Sequence, residues 1–238
     1  MTGQVIRRTS VSEQMFAILR DRIVAGTLTP GQPLHAEREL AQEFGVNRHA
    51  VREALRRLQQ ARLVEVSHGG RTTVLDWRRT AGLDLAVGGT GGSGTVDLPG
   101  LEQGAWEMRA CVGADAARLC ALRADRPTTE AITAATDRYA QSQPDLKALG
   151  AADIAWWRLI VEGSGNLAYL LAFNTLVQGA LAESGPPTAA RTAELLDVAA
   201  HRQLATLIAS HEPEAAWRLA RDLLSRSLIP SRRGERVR

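Results

Sequence analysis

Leu34-His35-Ala36-Glu37-Arg38-Glu39-Leu40-Ala41-Gln42-Glu43-Phe44-Gly45-Val46-Asn47-Arg48-His49-Ala50-Val51-Arg52-Glu53-Ala54-Leu55-Arg56-Arg57-Leu58 is the stretch on which the fold turns. His35 to Ala41 opens a short helix, Phe44-Gly45-Val46 makes a turn, and Asn47 caps a second helix that begins with Arg48 and His49. At helical spacing Val51, Ala54, Leu55 and Leu58 share an inward face, while Arg48, Arg52 and Arg56 fall on another. A rigid apolar back with a cationic front is what a recognition helix needs to present arginines to the DNA major groove.

The flanks complete the unit. Val11 to Ala25 carries an apolar stripe at Val11, Met15, Ile18, Leu19 and Ile23, and Gly26-Thr27-Leu28-Thr29-Pro30-Gly31 ends it. Leu63-Val64-Glu65-Val66 and Thr72-Thr73-Val74-Leu75 read as paired strands around a hairpin tip, Ser67-His68-Gly69-Gly70-Arg71. Three helices and a two-stranded β-wing make a winged helix-turn-helix. Charge follows the same division. Residues 1–80 hold 13 basic against 8 acidic side chains, residues 81–225 hold 11 against 17, and the tail from Arg226 holds 5 against 1. A basic head on an acidic body fits a polyanion-binding module joined to something else.

The 238 residues divide by this reading into four parts. These are a winged helix over 1–76, a linker with a Gly-rich loop over 77–97, an all-helical domain over 98–230, and a basic, disordered tail over 231–238. Trp77 to Leu85 reads as a connecting helix or an extended linker. Gly88 to Thr95 is glycine-rich but lacks the Gly-Lys-Ser/Thr ending of a phosphate-binding loop, so it reads as a flexible connection. Beyond Leu98 the spacing predicts helices over about 99–123, 128–142, 145–162, 166–184, 191–210 and 213–228, a bundle of six or seven helices. The fold class is therefore mainly α. Cys111 and Cys120 lie on one helix about 13 Å apart along its axis, too far for a disulfide. No apolar run is long enough to span a membrane and Met1 to Arg8 does not look like a secretory signal, so a cytoplasmic protein is expected.

The N-terminal third resembles the winged helix of GntR-type bacterial transcription regulators. Arg22-Ile23-Val24-Ala25-Gly26-Thr27-Leu28-Thr29-Pro30-Gly31, Glu37-Arg38-Glu39-Leu40-Ala41, Gly45-Val46-Asn47-Arg48 and Val51-Arg52-Glu53-Ala54-Leu55 carry the match. The helical remainder resembles the FadR-type effector domain through Met108-Arg109-Ala110, Asp153 with Trp157, Gly163-Ser164-Gly165-Asn166 and Ala199-Ala200-His201-Arg202. The resemblance implies a homodimer joined through the helical domain and gripping a palindromic double-stranded operator. It implies DNA contacts from Arg38, Asn47, Arg48, His49, Arg52, His68 and Gly69. An effector in the helical domain, a fatty acyl-CoA or another carboxylate, would modulate the grip.

Many FadR-type domains hold a divalent metal with one Asp and three His. Here Asp153 and His201 match two of the positions, while Trp157 and Leu223 or a neighbour stand where histidines would be expected. Two protein ligands rarely hold such an ion, since even catalytic zinc keeps three. The expectation is a degenerate site with no tightly bound metal or other cofactor. Arg109, Asp153, Trp156, Trp157 and His201 are the expected effector-binding residues, with Trp106 and Tyr139 available to widen the pocket. Arg109 needs an acidic partner, which Asp153 or a ligand carboxylate would supply. Two other functions compete: an architectural DNA-binding dimer without an effector, and a helical enzyme with a DNA-binding appendage. No nucleophile elbow, HExxH, phosphate-binding loop or carboxylate dyad supports the enzyme.

Overall fold

The computed structural model of the chain describes residues 10–67, 71–83, 85, 100–178 and 187–228. Two compact units emerge, one ending at Leu98 and the other beginning at Pro99. The Gly88–Thr95 loop, the 231–238 tail and the wing-tip residues His68 and Gly69 lie outside the described residues.

In the first unit α1 (Val11–Val24) starts at Ser10, whose hydroxyl accepts from the Glu13 amide. It buries Met15, Phe16, Leu19 and Ile23, whereas Val11 and Ile18 of the expected stripe are exposed. The buried line is rotated because Phe16 joins it one residue after Met15. Next, α2 (Glu37–Glu43) is capped by Glu39, whose carboxylate accepts from the Ala36 amide at 3.1 Å. Gly45 at φ +64° makes the turn, a conformation that favours glycine. The third helix, α3 (Arg48–Gln60), is capped by Asn47, whose Oδ1 accepts from the Ala50 amide at 2.8 Å. It buries Ala50, Val51, Ala54, Leu55 and Leu58 against α1 and α2.

The wing is β1 (Val64–Val66) and β2 (Thr72–Val74), antiparallel, with Val64 opposite Val74 and Val66 opposite Thr72. Residues 31–34 run along the free edge of β2: Gly31 and Leu34 donate to Val74 and Thr72, and Val74 donates to Gln32. That cover protects an otherwise open strand edge. A single helical turn, α4 (Trp77–Thr80), follows, and the Thr80 hydroxyl donates to the Arg62 carbonyl at 2.8 Å. Leu85 reaches back into the same apolar core.

The second unit contains seven helices among the described residues: α5 (Leu101–Arg123), α6 (Arg126–Gln141), α7 (Leu146–Gly163), α8 (Leu167–Gln178), α9 (Ala189–Leu196), α10 (Val198–Ala209) and α11 (Pro213–Ser225). The 23-residue α5 is central and packs most extensively on α11, with α7 and α10 also against it. Its buried positions are mostly small (Ala110, Ala114, Ala117, Cys120, Ala121), so neighbouring helices approach closely. A Cβ on Gly113 would lie 2.5 Å from Leu224 Cδ1, so a larger residue there would require the Leu224 side chain to shift.

The single helix expected over 191–210 is two helices. Asp197 breaks it with φ −82° and ψ 67°, and its carboxylate then accepts from the Ala200 amide, capping α10. Aspartate competes with the helical backbone in this way, and periodicity alone does not register the change of axis. Both cysteines lie on α5, Cys111 exposed and Cys120 buried. Among the described residues no helix is long and apolar enough to cross a membrane.

Candidate nucleic-acid interface and ligand cavity

The apolar face of α3 is locked into the core of the first unit, which leaves Arg48, His49 and Arg52 exposed on the opposite side. Arg38 is exposed on α2. None of these three arginines has an ion-pair partner among the described residues, so their guanidinium groups remain available to a phosphate or a base edge. The other arginines of α3 are engaged. Arg56 bonds Glu53 at 2.7 Å, and Arg57 lies over the Phe16 ring at 4.7 Å with Glu13 at 3.8 Å. Arg56 is exposed and pairs with Glu53 along its own helix, and Arg57 helps hold α3 on α1. Asn47 Oδ1 is committed to the helix cap, which leaves its amide N–H groups to face a ligand.

In the helical unit a buried ionic network draws together three of the sequence-derived residues and three others. Asp153 on α7 accepts from Arg191 on α9 at 2.6 Å, and His201 Nε2 on α10 lies 3.3 Å from its other oxygen. Glu194, fully buried on α9, accepts from both Arg109 on α5 and Arg191, the latter at 2.6 Å. Arg109 Nη2 is 3.6 Å from Asp153, and the Ser227 hydroxyl, past the end of α11, donates to Glu194. His201 Nδ1 sits 2.8 Å from the Asp197 carbonyl. Burial alone would raise the Asp153 carboxyl. Arg191, the His201 hydrogen bond and Arg109 outweigh that and hold it well below the usual carboxylate range.

Arg109 therefore has Glu194 as its first partner and Asp153 as its second. Arg191, Glu194 and Ser227 escaped the sequence reading. The available signal was Arg191 and Glu194 at i, i+3 among alanines. With 191–210 taken as one helix, the face they occupy was not assignable. The donor set also bears on the metal that the FadR-type resemblance implies. Among the described residues no three His, Cys, Asp or Glu side chains converge. Both Asp153 oxygens are engaged, by Arg191 and His201, and Trp157 supplies no ligand atom at the i+4 position. The residues present do not fit a divalent ion.

Beside this network lies a cavity of about 690 Å³, walled by α5, α7, α8, α9 and α11. Arg109, Asp153 and Trp157 line it, as do Trp106 and Arg191. Trp156, Tyr139 and His201 sit in the packed layer behind. Trp156 Nε1 donates to Thr136 at 2.8 Å, and the Tyr139 ring stacks on His201 with centroids 4.3 Å apart. The Tyr139 hydroxyl donates to the Leu195 carbonyl. Trp157 differs from its neighbour: its Nε1 is the one buried side-chain nitrogen or oxygen among the described residues without a hydrogen-bond partner.

Comparison with known proteins agrees with both halves of this description. Residues 11–74 match the family described as bacterial regulatory proteins, gntR family, and residues 105–226 match the FCD domain. The chain is 34% identical over 238 aligned residues to the HTH-type transcriptional regulator Mce2R of Mycobacterium tuberculosis, covering 94% of this chain and 92% of the relative. It is 29% identical over 155 residues to the galactonate operon transcriptional repressor of Escherichia coli, covering 65% and 67%. Among solved structures it is similar to a Streptococcus agalactiae GntR protein, at 21% identity and a TM-score of 0.47, covering 90% of this chain and 97% of that one.

Proposed function

The chain belongs to the gntR family of bacterial regulatory proteins and carries an FCD domain, and from that premise we propose how its residues serve a transcription regulator. Arg38, Asn47, Arg48, His49 and Arg52, with His68 and Gly69 at the wing tip, contact operator DNA. Arg48 and Arg52 enter the major groove, where an arginine pairs bidentately with guanine O6 and N7. The observation that carries this reading is the pair of exposed arginines, without ion partners among the described residues, one turn apart on a helix whose other face is packed into the core.

The protein acts as a homodimeric repressor on a palindromic site, not as an enzyme, and the helical unit holds the effector that modulates its grip. The cavity beside Arg109, Asp153 and Trp157 is the proposed effector site, and its occupant an organic acid or a fatty acyl-CoA. The Escherichia coli relative is named for the galactonate operon that it represses. Carried over to this chain, a sugar acid is the second reading.

The test starts from an operator selected by the protein from a random duplex library. Arg48→Ala and Arg52→Ala should each cost about 1–3 kcal/mol of specific binding, roughly 5- to 150-fold in Kd. Unchanged affinity in both variants would overturn the placement of the recognition helix.

A further inference from the structure

The short helix α9 is seated on the bundle by charge more than by apolar contact. Its buried residues are Arg191, Glu194 and Leu195, so two of the three are ionised side chains. The Arg191 side chain is 8% exposed, that of Glu194 is fully buried, and that of Asp153 on α7 is 3% exposed. A carboxylate withdrawn from water to this degree is costly unless a cation meets it. Two such carboxylates also repel each other, so the charge that joins them has to reach both.

Arg191 does so. Its Nη2 donates to Asp153 and its Nη1 to Glu194, each at 2.6 Å. Arg109 is not equivalent. It holds Glu194 with both terminal nitrogens but stands 3.6 Å from Asp153, too far for a hydrogen bond. The second oxygen of Asp153 faces His201 Nε2 at 3.3 Å. Among the described residues Arg191 is therefore the cation that hydrogen-bonds both buried carboxylates and joins α7 to α9. A planar guanidinium spans two acceptors with its rigid fork, whereas an ammonium is a compact point charge. In a FadR-type domain with the full ligand set, an aspartate and a histidine at these places would meet a divalent ion. Here the space in front of Asp153 Oδ2 belongs to Arg191.

We propose that Arg191 is a resident cation: its guanidinium stands where a divalent ion would sit beside Asp153, binds Glu194 as well, and so seats α9 on the bundle without a metal. The consequence is a helical unit whose stability is indifferent to the supply of divalent ions. Loss of the one side chain, by contrast, leaves Asp153 and Glu194 to share Arg109.

The cavity gives this inference its test. Arg191 and Asp153 both line it, together with the exposed Lys147. Shortening Arg191 to alanine thus opens a guanidinium-sized space that a small cation can enter from the cavity. Arg191→Ala should lower the melting temperature of the full chain by roughly 6 °C or more. Methylguanidinium at ten times its Kd should return about 3 °C or more. Methylammonium, which has the charge but not the fork, should leave the variant unchanged, and neither ion should shift the parent. Refolding Arg191→Ala from urea with each cation present makes the same comparison if the variant is too unstable to purify folded. Arg191→Lys should fall between the parent and Arg191→Ala. Zinc, nickel and manganese, each added to chelator-treated parent, should leave its melting temperature unchanged.

An Arg191→Ala variant as stable as the parent, a loss that methylguanidinium does not reverse, or equal recovery with methylammonium would overturn the proposal. So would a rise in the parent with a divalent ion that Asp153→Asn abolishes. No DNA is present, so the outcome is separate from the regulatory reading.

Discussion

Arg191→Met is the most informative single perturbation of the helical unit. Arg191 donates to both buried carboxylates, at 2.6 Å to Asp153 and 2.6 Å to Glu194. Methionine keeps much of the apolar stem and removes the charge. Glu194 would retain Arg109 and Ser227, but Asp153 would keep only Arg109 Nη2 at 3.6 Å and His201. Two buried carboxylates would then share one guanidinium. Removing one partner of a buried pair costs about 3–5 kcal/mol because the other charge is stranded. In a protein of this size that lowers the melting temperature by roughly 6 °C or more. Adding Asp153→Asn removes the stranded charge while the Arg109–Glu194 pair stays intact, so the double variant should recover about 1–3 kcal/mol. Urea unfolding followed by tryptophan fluorescence measures this, since four of the five tryptophans lie in the helical unit. A single-variant cost below about 1 kcal/mol, or a double-variant cost equal to the sum of the singles, would refute the charge argument.

Acid should unfold the helical unit through the same network. The folded Asp153 carboxyl is depressed, so its stabilisation is fully present above the unfolded value of about 3.9 and is lost as pH falls below that toward the folded value. Asp153→Asn should flatten that part of the stability–pH curve, and an unchanged acid limb would count against the ion pairs. Asn47→Ala removes the α3 cap and should destabilise the first unit by about 1 kcal/mol in denaturant titration. Burial pushes the Cys120 thiol up to about 12, so at neutral pH a maleimide should label the exposed Cys111 and spare Cys120 unless the protein is unfolded. Equal labelling of the two in native protein would contradict the packing of α5.

Much of the DNA-binding unit was legible because its signals are local. The Asn47 cap, the Gly45 turn and the Val51–Leu58 stripe each act within a few residues, and the wing register follows from alternation across a short hairpin. The partition of the arginines was not legible, because Arg57 is drawn to Phe16 on another helix and Arg56 to Glu53 by choice of rotamer. In the helical unit five of the six expected helices begin close to where periodicity placed them, and the one expected over 191–210 is split at Asp197. The network was not legible, because it depends on which face of α9 turns inward, and Asp197 sets that by breaking the chain direction. Arg109 clearly required an acid. That the acid is Glu194, 85 positions away, is a tertiary fact.

Operator affinity measured over a salt series, in parent, Arg48→Ala and Arg52→Ala protein, tests most directly whether α3 is the recognition helix. The account predicts affinity that falls steeply with salt in the parent and a loss of about 1–3 kcal/mol of specific binding in each variant. A flat salt response, or parent-like affinity in both variants, would contradict it.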